Sequence, residues 1–307
     1  MDPPVYGKVI ISIKTNTGNQ LNNLTKKDLI AKLRPYAMAS VETVIVDPDE
    51  FFVNLSIFVS ATTFKSVLST DILNQNTSDD IKKKILAAIQ DFGDQQDLGN
   101  FGKSLSLSQL EKIILNSDPN INDVQFGITP YKVIPYEDLS SPTTYNLNFG
   151  IAMDCSCDSA SGETVKSSRF YTEGISDPQY LEDDGAGNLR SYYVKNNNKV
   201  ITNTSVGTYN CDHGRVKIGP ITTICPPDGD CPSNLVISIK PKNPNTITPP
   251  SGTIISIPVP DITIAAAIPT SGPGGTAGDP TSFSPAPTTF TFTSPVGSDS
   301  SLSSCFV

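Results

Sequence analysis

Apolar residues alternate along VYGKVIISIKT (5–15), with Val9, Ile11 and Ile13 on one side of an extended chain and Ile10 and Ser12 on the other. That period predicts a strand. TGN (17–19) carries turn chemistry. Thr25 is placed to cap a helix through KKDLIAKLRPYAM, where Leu29, Leu33 and Ala37 recur every four residues and Pro35, near its end, is placed to kink it. VETVIVDPDEFFVNLSIFVSAT (41–62) predicts two strands broken at Asp47-Pro48. In the second, Phe51, Val53, Leu55, Ile57 and Val59 alternate with Phe52, Asn54, Ser56, Phe58 and Ser60.

Ser78 opens a second helix whose stripe is Ile81, Ile85, Ala88, Ile89 and Phe92, with Asp79 and Asp80 at its positive end. A third helix fits SLSQLEKIILNS, with Ser108 and Glu111 spaced as a capping box. DVQFGITPYKVIPY (123–136) is again strand-like. The order β-α-β-β-α-α-β predicts a split βαβ domain of ferredoxin-like type over 1–136.

The period then changes. Short alternating runs such as YNLNFGIAM, TVKSSRFYT, LRSYYVK, NKVITNTSVGTYN, RVKIGPITTI, NLVISIKP and TIISIPVPDITIAAA are separated by Asn, Asp, Gly and Pro. They predict an all-β hairpin domain over 137–267. Residues 268–307 are rich in Pro, Gly, Ser and Thr and predict an extended tail with too little apolar area to pack alone. The expected class is therefore α+β.

The 307 residues suffice for about two domains, each able to build a core without disulfides. Net charge −9 disfavours a nucleic-acid partner, and the Lys82-Lys83-Lys84 run beside Asp79-Asp80 reads as a solvated helix face. The start MDPPVYGKV lacks a basic segment followed by an apolar run, and no apolar run reaches the ~18 residues that span a bilayer. The expected setting is a reducing cytosol, where the six cysteines are more often thiols or metal ligands than disulfides.

Candidate chemistry is sparse. Cys155 and Cys157 share one side of an extended chain, and Cys211 with His213, the chain's single histidine, could complete a tetrahedral zinc site. One intervening residue in each pair is shorter than structural zinc sites use. The competing reading of GTYN-CDHG-RVKIG is a hairpin whose turn needs Asp and Gly. A nucleophilic pair of Cys211 and His213 lacks an orienting third group. CPPDGDC (225–231) could close a disulfide but reads as a loop with two thiols. DLGNFGKS (97–104) resembles a phosphate-binding loop, but Asp97 holds the first glycine's place and a helix precedes it, so it reads as a helix–helix loop. LEDDGAGN, with Glu182, Asp183 and Asp184 adjacent, reads as a solvated turn rather than a calcium loop. No catalytic set and no cofactor emerges.

YGKVIISIKTNTGNQLNNLTKKDLIAKLRPYAMASVETVIVDPDEFFVNLSIFV, above all VIVDPDEFFVNL, resembles the C-terminal half of the baseplate wedge protein (the product of gene six) of T-even-like contractile-tailed phages. That family is related to the baseplate J-like proteins. VGTYNCDHGRVKIGPITTI, LVISIKPKN and GTIISI resemble its β domain, so the resemblance extends over residues 5–267. It implies a structural subunit of the virion tail baseplate, assembled in the host cytoplasm, dimeric within a ring and bridging neighbouring wedges around the tail hub. It implies other baseplate wedge and tail proteins as partners, no membrane partner and no catalytic residues. The family protein is longer, and its N-terminal half and the tail from 268 find no counterpart. Strand 51–59, apolar on both faces at several positions, is the candidate contact element, with burial of both faces as the competing reading. The alternative function is a metal-stabilised β-rich binding or adhesin-like tail module.

Overall fold

The computed structural model describes residues 7–14, 21–37, 41–61, 78–140, 143–155, 163–226 and 231–266. The turn expected at 17–19, Cys157 and the tail expected at 268–307 lie outside these. The chain opens with β1 (Lys8–Ser12), α1 (Asn23–Leu33) and β2 (Glu42–Val46). Then come β3 (Asp49–Ala61), α2 (Ser78–Gln95), β4 (Leu105–Ser106), α3 (Leu107–Ser117) and β5 (Ile121–Pro135). The remainder is β6 (Tyr145–Asn148), β7 (Val165–Ser167), β8 (Phe170–Thr172), β9 (Ile175–Asp183), β10 (Asn188–Lys195) and β11 (Asn198–Asn210). It ends with β12 (Arg215–Ile218), β13 (Asn234–Ile239), β14 (Thr246–Ile247), β15 (Thr253–Ser256) and β16 (Asp261–Ala266). No described helix is long and apolar enough to cross a membrane.

β3 explains most of the packing. Phe51, Val53, Leu55, Ile57, Val59 and Ala61 are each at most 1% exposed. β5 pairs antiparallel with it, setting Ile128 opposite Leu55 and Phe126 opposite Ile57. On the other edge β15 and β16 run parallel to it in succession. The α2 stripe Ile81, Ile85, Ile89 and Phe92 and the α3 residues Leu107, Leu110 and Ile114 join the same buried cluster. Each such side chain contributes on the order of 2 kcal/mol by leaving water. The other face of β3 is half-covered, and there Phe52 stacks on Tyr131 at 5.1 Å between ring centroids. Both edges of β3 are paired and one face is buried, so any contact it offers a partner is confined to its half-covered face.

A single large sheet runs β15-β3-β5-β13-β7-β9-β10-β11-β12-β6. Strand pairing therefore crosses the division drawn at 136/137, because Asn234–Ser238 of β13 pairs with Tyr131–Pro135 of β5. A shift in composition reports local chain character and carries no information on pairing over a hundred residues.

The caps also differ from expectation. Asn22, not Thr25, caps α1: its side chain accepts the Thr25 N–H at 2.7 Å. At α3 the cap position is Ser106, whose hydroxyl makes no cap bond. β4 is instead paired with β14, and the Leu107 N–H donates to the Asn245 carbonyl at 3.0 Å. A strand partner here satisfies a donor that a capping box would serve.

Candidate interaction site

β1 and β2 pair in parallel, Lys8 with Glu42 through Ser12 with Val46, and α1 is their crossover. Lys26 on α1 reaches Asp47 just past β2 at 2.6 Å and ties the helix to the strand end. Pro35 lies in the 3-10 turn Arg34–Tyr36 that ends the helix. Two strands and one helix have too few faces to enclose each other. Ile45 is the one buried residue among those described in 7–46, and α1 buries none. Val9 is 48% exposed, Leu24 70% and Tyr36 88%. An isolated exposed leucine needs no explanation, but three large apolar groups exposed on so small a βαβ unit leave apolar area that a partner could cover.

Beside this unit opens a cleft of about 1210 Å³. Ile10, Ser12, Val46 and Asp47 form one wall, and Asn146, Asn148, Asn210 and Arg215 line the other, from β6 and the β11–β12 hairpin. Lys132, 5% exposed, lies in the cleft and is ion-paired to Asp49. Ser12 Oγ and Asp47 Oδ1 are buried without a hydrogen-bond partner. One hydroxyl and one carboxylate oxygen thus keep unused hydrogen-bonding capacity beside the cleft. A smaller apolar groove of about 550 Å³ runs along α2, between Leu86 and Ile89 on one side and Ile257 and Val259 on the other.

The structure brings Cys155, Cys211 and His213 into one neighbourhood, but not as metal ligands. Cys211 and His213 occupy the tight turn between β11 and β12, with Asn210 paired to Arg215 on either side. The exposed His213 ring places Nδ1 3.0 Å from Asn210 Oδ1. Gly214, with φ +59°, completes the turn. Cys155 and Cys211 are joined in a disulfide with their Cα atoms 6.1 Å apart, and Cys225 is joined to Cys231. The expectation of free thiols rested on compartment alone; the fold brings these sulfurs into two bonded pairs. A sulfur spent in a disulfide is not a thiolate ligand. Among the described residues no group of three or more His, Cys, Asp or Glu is placed to hold a metal.

The acidic run 182–184 is not the solvated turn expected. Glu182 and Asp183, at the end of β9, are 2% and 1% exposed. Glu182 Oε1 takes the Arg190 guanidinium at 2.7 Å and Oε2 takes Lys199 Nζ at 2.7 Å. Asp183 accepts the N–H groups of Thr164 and Val165 at 2.9 and 3.0 Å. The signal lay in the later basic residues: antiparallel pairing sets Arg190 opposite Glu182. Burial works against the charged Asp184 carboxyl, yet hydrogen bonds from Asn188 and Ala186 outweigh it and lower its pKa. In the 97–104 loop Lys103 lies 3.8 Å from Asp97, and the loop joins α2 to β4.

With the geometry placed, the family described as baseplate structural protein gp6, C-terminal domain I, matches residues 1–46. Its described part is the β1-α1-β2 unit with the exposed apolar surface. No curated protein matches the chain.

Proposed function

We propose that this chain is a structural subunit of a bacteriophage tail baseplate, working by association rather than catalysis. One coincidence carries the reading. The segment similar to a baseplate structural protein is also one whose described residues bury a single side chain, Ile45, and leave Val9, Leu24 and Tyr36 exposed. In its finer form, the chain belongs to a wedge of a contractile tail and pairs with a second copy. Such pairs hold neighbouring wedges in a ring around the hub, with the chain resident in the virion after assembly in the host cytoplasm. Interfaces of that permanence bury on the order of 2,000 Å² or more, and β1-α1-β2 with the adjoining cleft supplies the docking half. The resemblance of the later strands to the same family's β domain supports the reading beyond residue 46.

The test is a double variant, Leu24→Asp with Tyr36→Asp. Both residues are exposed, so the thermal midpoint should stay within about 1 °C of wild type, since surface changes cost little. Incorporation into particles should fall at least about tenfold, as for loss of a hot-spot cluster. Undiminished incorporation overturns the assignment of this unit as the docking surface.

A further inference from the structure

We infer that Cys155 and Cys211 form a reversible oxidation site, a latch that closes when the folded chain meets a low-molecular-weight disulfide such as glutathione disulfide. Both residues are partly buried and packed against the core. Their backbones are positioned without help from the sulfurs. The Met153 N–H donates to the Cys211 carbonyl at 2.7 Å and the Phe149 N–H to the Gly214 carbonyl at 2.8 Å. From the other side, the Asp154 N–H donates to the Lys240 carbonyl and the Lys242 N–H to the Ala152 carbonyl, each at 2.9 Å. Lys240 Nζ adds an ion pair to Asp154 at 2.9 Å. Segment 149–155 is thus clamped between the β11–β12 turn and residues 240–242 whether or not the sulfurs are bonded. The fold presents two thiols to each other, so oxidation requires no rearrangement of strands.

The chemistry balances by exchange. One cysteine thiolate attacks glutathione disulfide, forming a mixed disulfide and releasing one glutathione thiolate. The second cysteine thiolate attacks the mixed disulfide and releases the other. Two protein thiols lose two electrons, the small disulfide gains them, and the two protons end on the two glutathione thiols. The closed bond adds a covalent tie to the hairpin that carries Asn210 and Arg215, two residues lining the cleft, so its gain is read in stability rather than in a change of shape. Its timing rests on the baseplate reading: the dithiol persists in a reducing cell and closes after release.

The purified full chain, reduced and then equilibrated in glutathione buffers of graded ratio, should be alkylated and mapped by mass spectrometry. The peptides carrying Cys155 and Cys211 should become linked, and the thermal midpoint should rise by about 5–10 °C, as expected for closing a long loop in a chain of this size. Cys155→Ser with Cys211→Ser should match the reduced wild type and lose the response. Cys225→Ser with Cys231→Ser should keep most of it. Cys155 still alkylated after oxidation, or a midpoint that does not move, overturns the latch and leaves the baseplate reading untouched. A dithiol in chains taken from released particles, with the purified chain oxidising normally, overturns the timing alone. Absence of the chain from particles counts against the baseplate reading instead.

Discussion

Asp118 and Lys84 are held 2.6 Å apart, the carboxylate fully buried beyond α3 and the ammonium reaching over from α2. Burial pushes the Asp118 carboxyl up, but hydrogen bonds from Lys84 and Asn120 and the Lys84 charge outweigh it, so its pKa lies below the ordinary 3.8. A carboxyl depressed in the folded state adds stability that is complete above its unfolded pKa and is lost as pH falls through the folded value. Asp118→Asn should therefore cost most near pH 7, with the gap to wild type narrowing below about pH 4. Lys84→Met should cost about 1–2 kcal/mol at pH 7, limited because the amine is half exposed. Urea titrations at pH 7 and pH 3 check both.

Gly214 allows a contact that no side chain tolerates. A Cβ built there would stand 2.1 Å from the Ile151 carbonyl oxygen, and φ is +59°. Gly214→Ala should cost at least about 2 kcal/mol. Gly102 has φ +73° but nothing within 4 Å, so Gly102→Ala should cost only about 1 kcal/mol of backbone strain. Thermal melts of the two variants should separate clearly.

Glu182 holds two cations at once. Glu182→Gln leaves both facing a neutral amide in a buried setting and should cost about 3 kcal/mol. Lys199→Met should cost less, because the Lys199 side chain is 36% exposed and solvent screens its charge. Chemical denaturation of each variant orders them.

On β3, Leu55→Ala should lose about 2–5 kcal/mol, the range for a fully buried leucine. Phe58→Ala, on the half-covered face, should lose about 1 kcal/mol. Equal losses would mean that the second face is as tightly packed as the first.

These costs follow elements of unequal legibility. The alternation along 51–61 and the α2 stripe were readable because one face of each is buried, so burial imposes its period on the sequence. The break at Asp47-Pro48 was readable because proline removes a ladder donor. β9 was not anticipated: Pro178 and its acids hide a strand that sits between β7 and β10, where Glu182 meets its cations. β15 and β16 read as one run, yet the chain leaves β3 at Ile257–Pro260, where two prolines interrupt it. Of the candidate site, the β1-α1-β2 unit was visible as a pattern but its exposure was not, since Val9 shares the alternation of Ile11 and Ile13 and yet lies 48% exposed. Cys155 and Cys211 were grouped from sequence as ligands of one metal; the fold brings their sulfurs together across 56 positions as a disulfide instead, a distinction no local pattern encodes.

The most direct measurement is sedimentation of lysate from cells producing the native particle, with mass spectrometry of whatever travels with the chain. The account predicts co-migration in a megadalton particle alongside tail tube, sheath and other baseplate proteins. A chain that sediments alone, near its own 32.8 kDa, would contradict it.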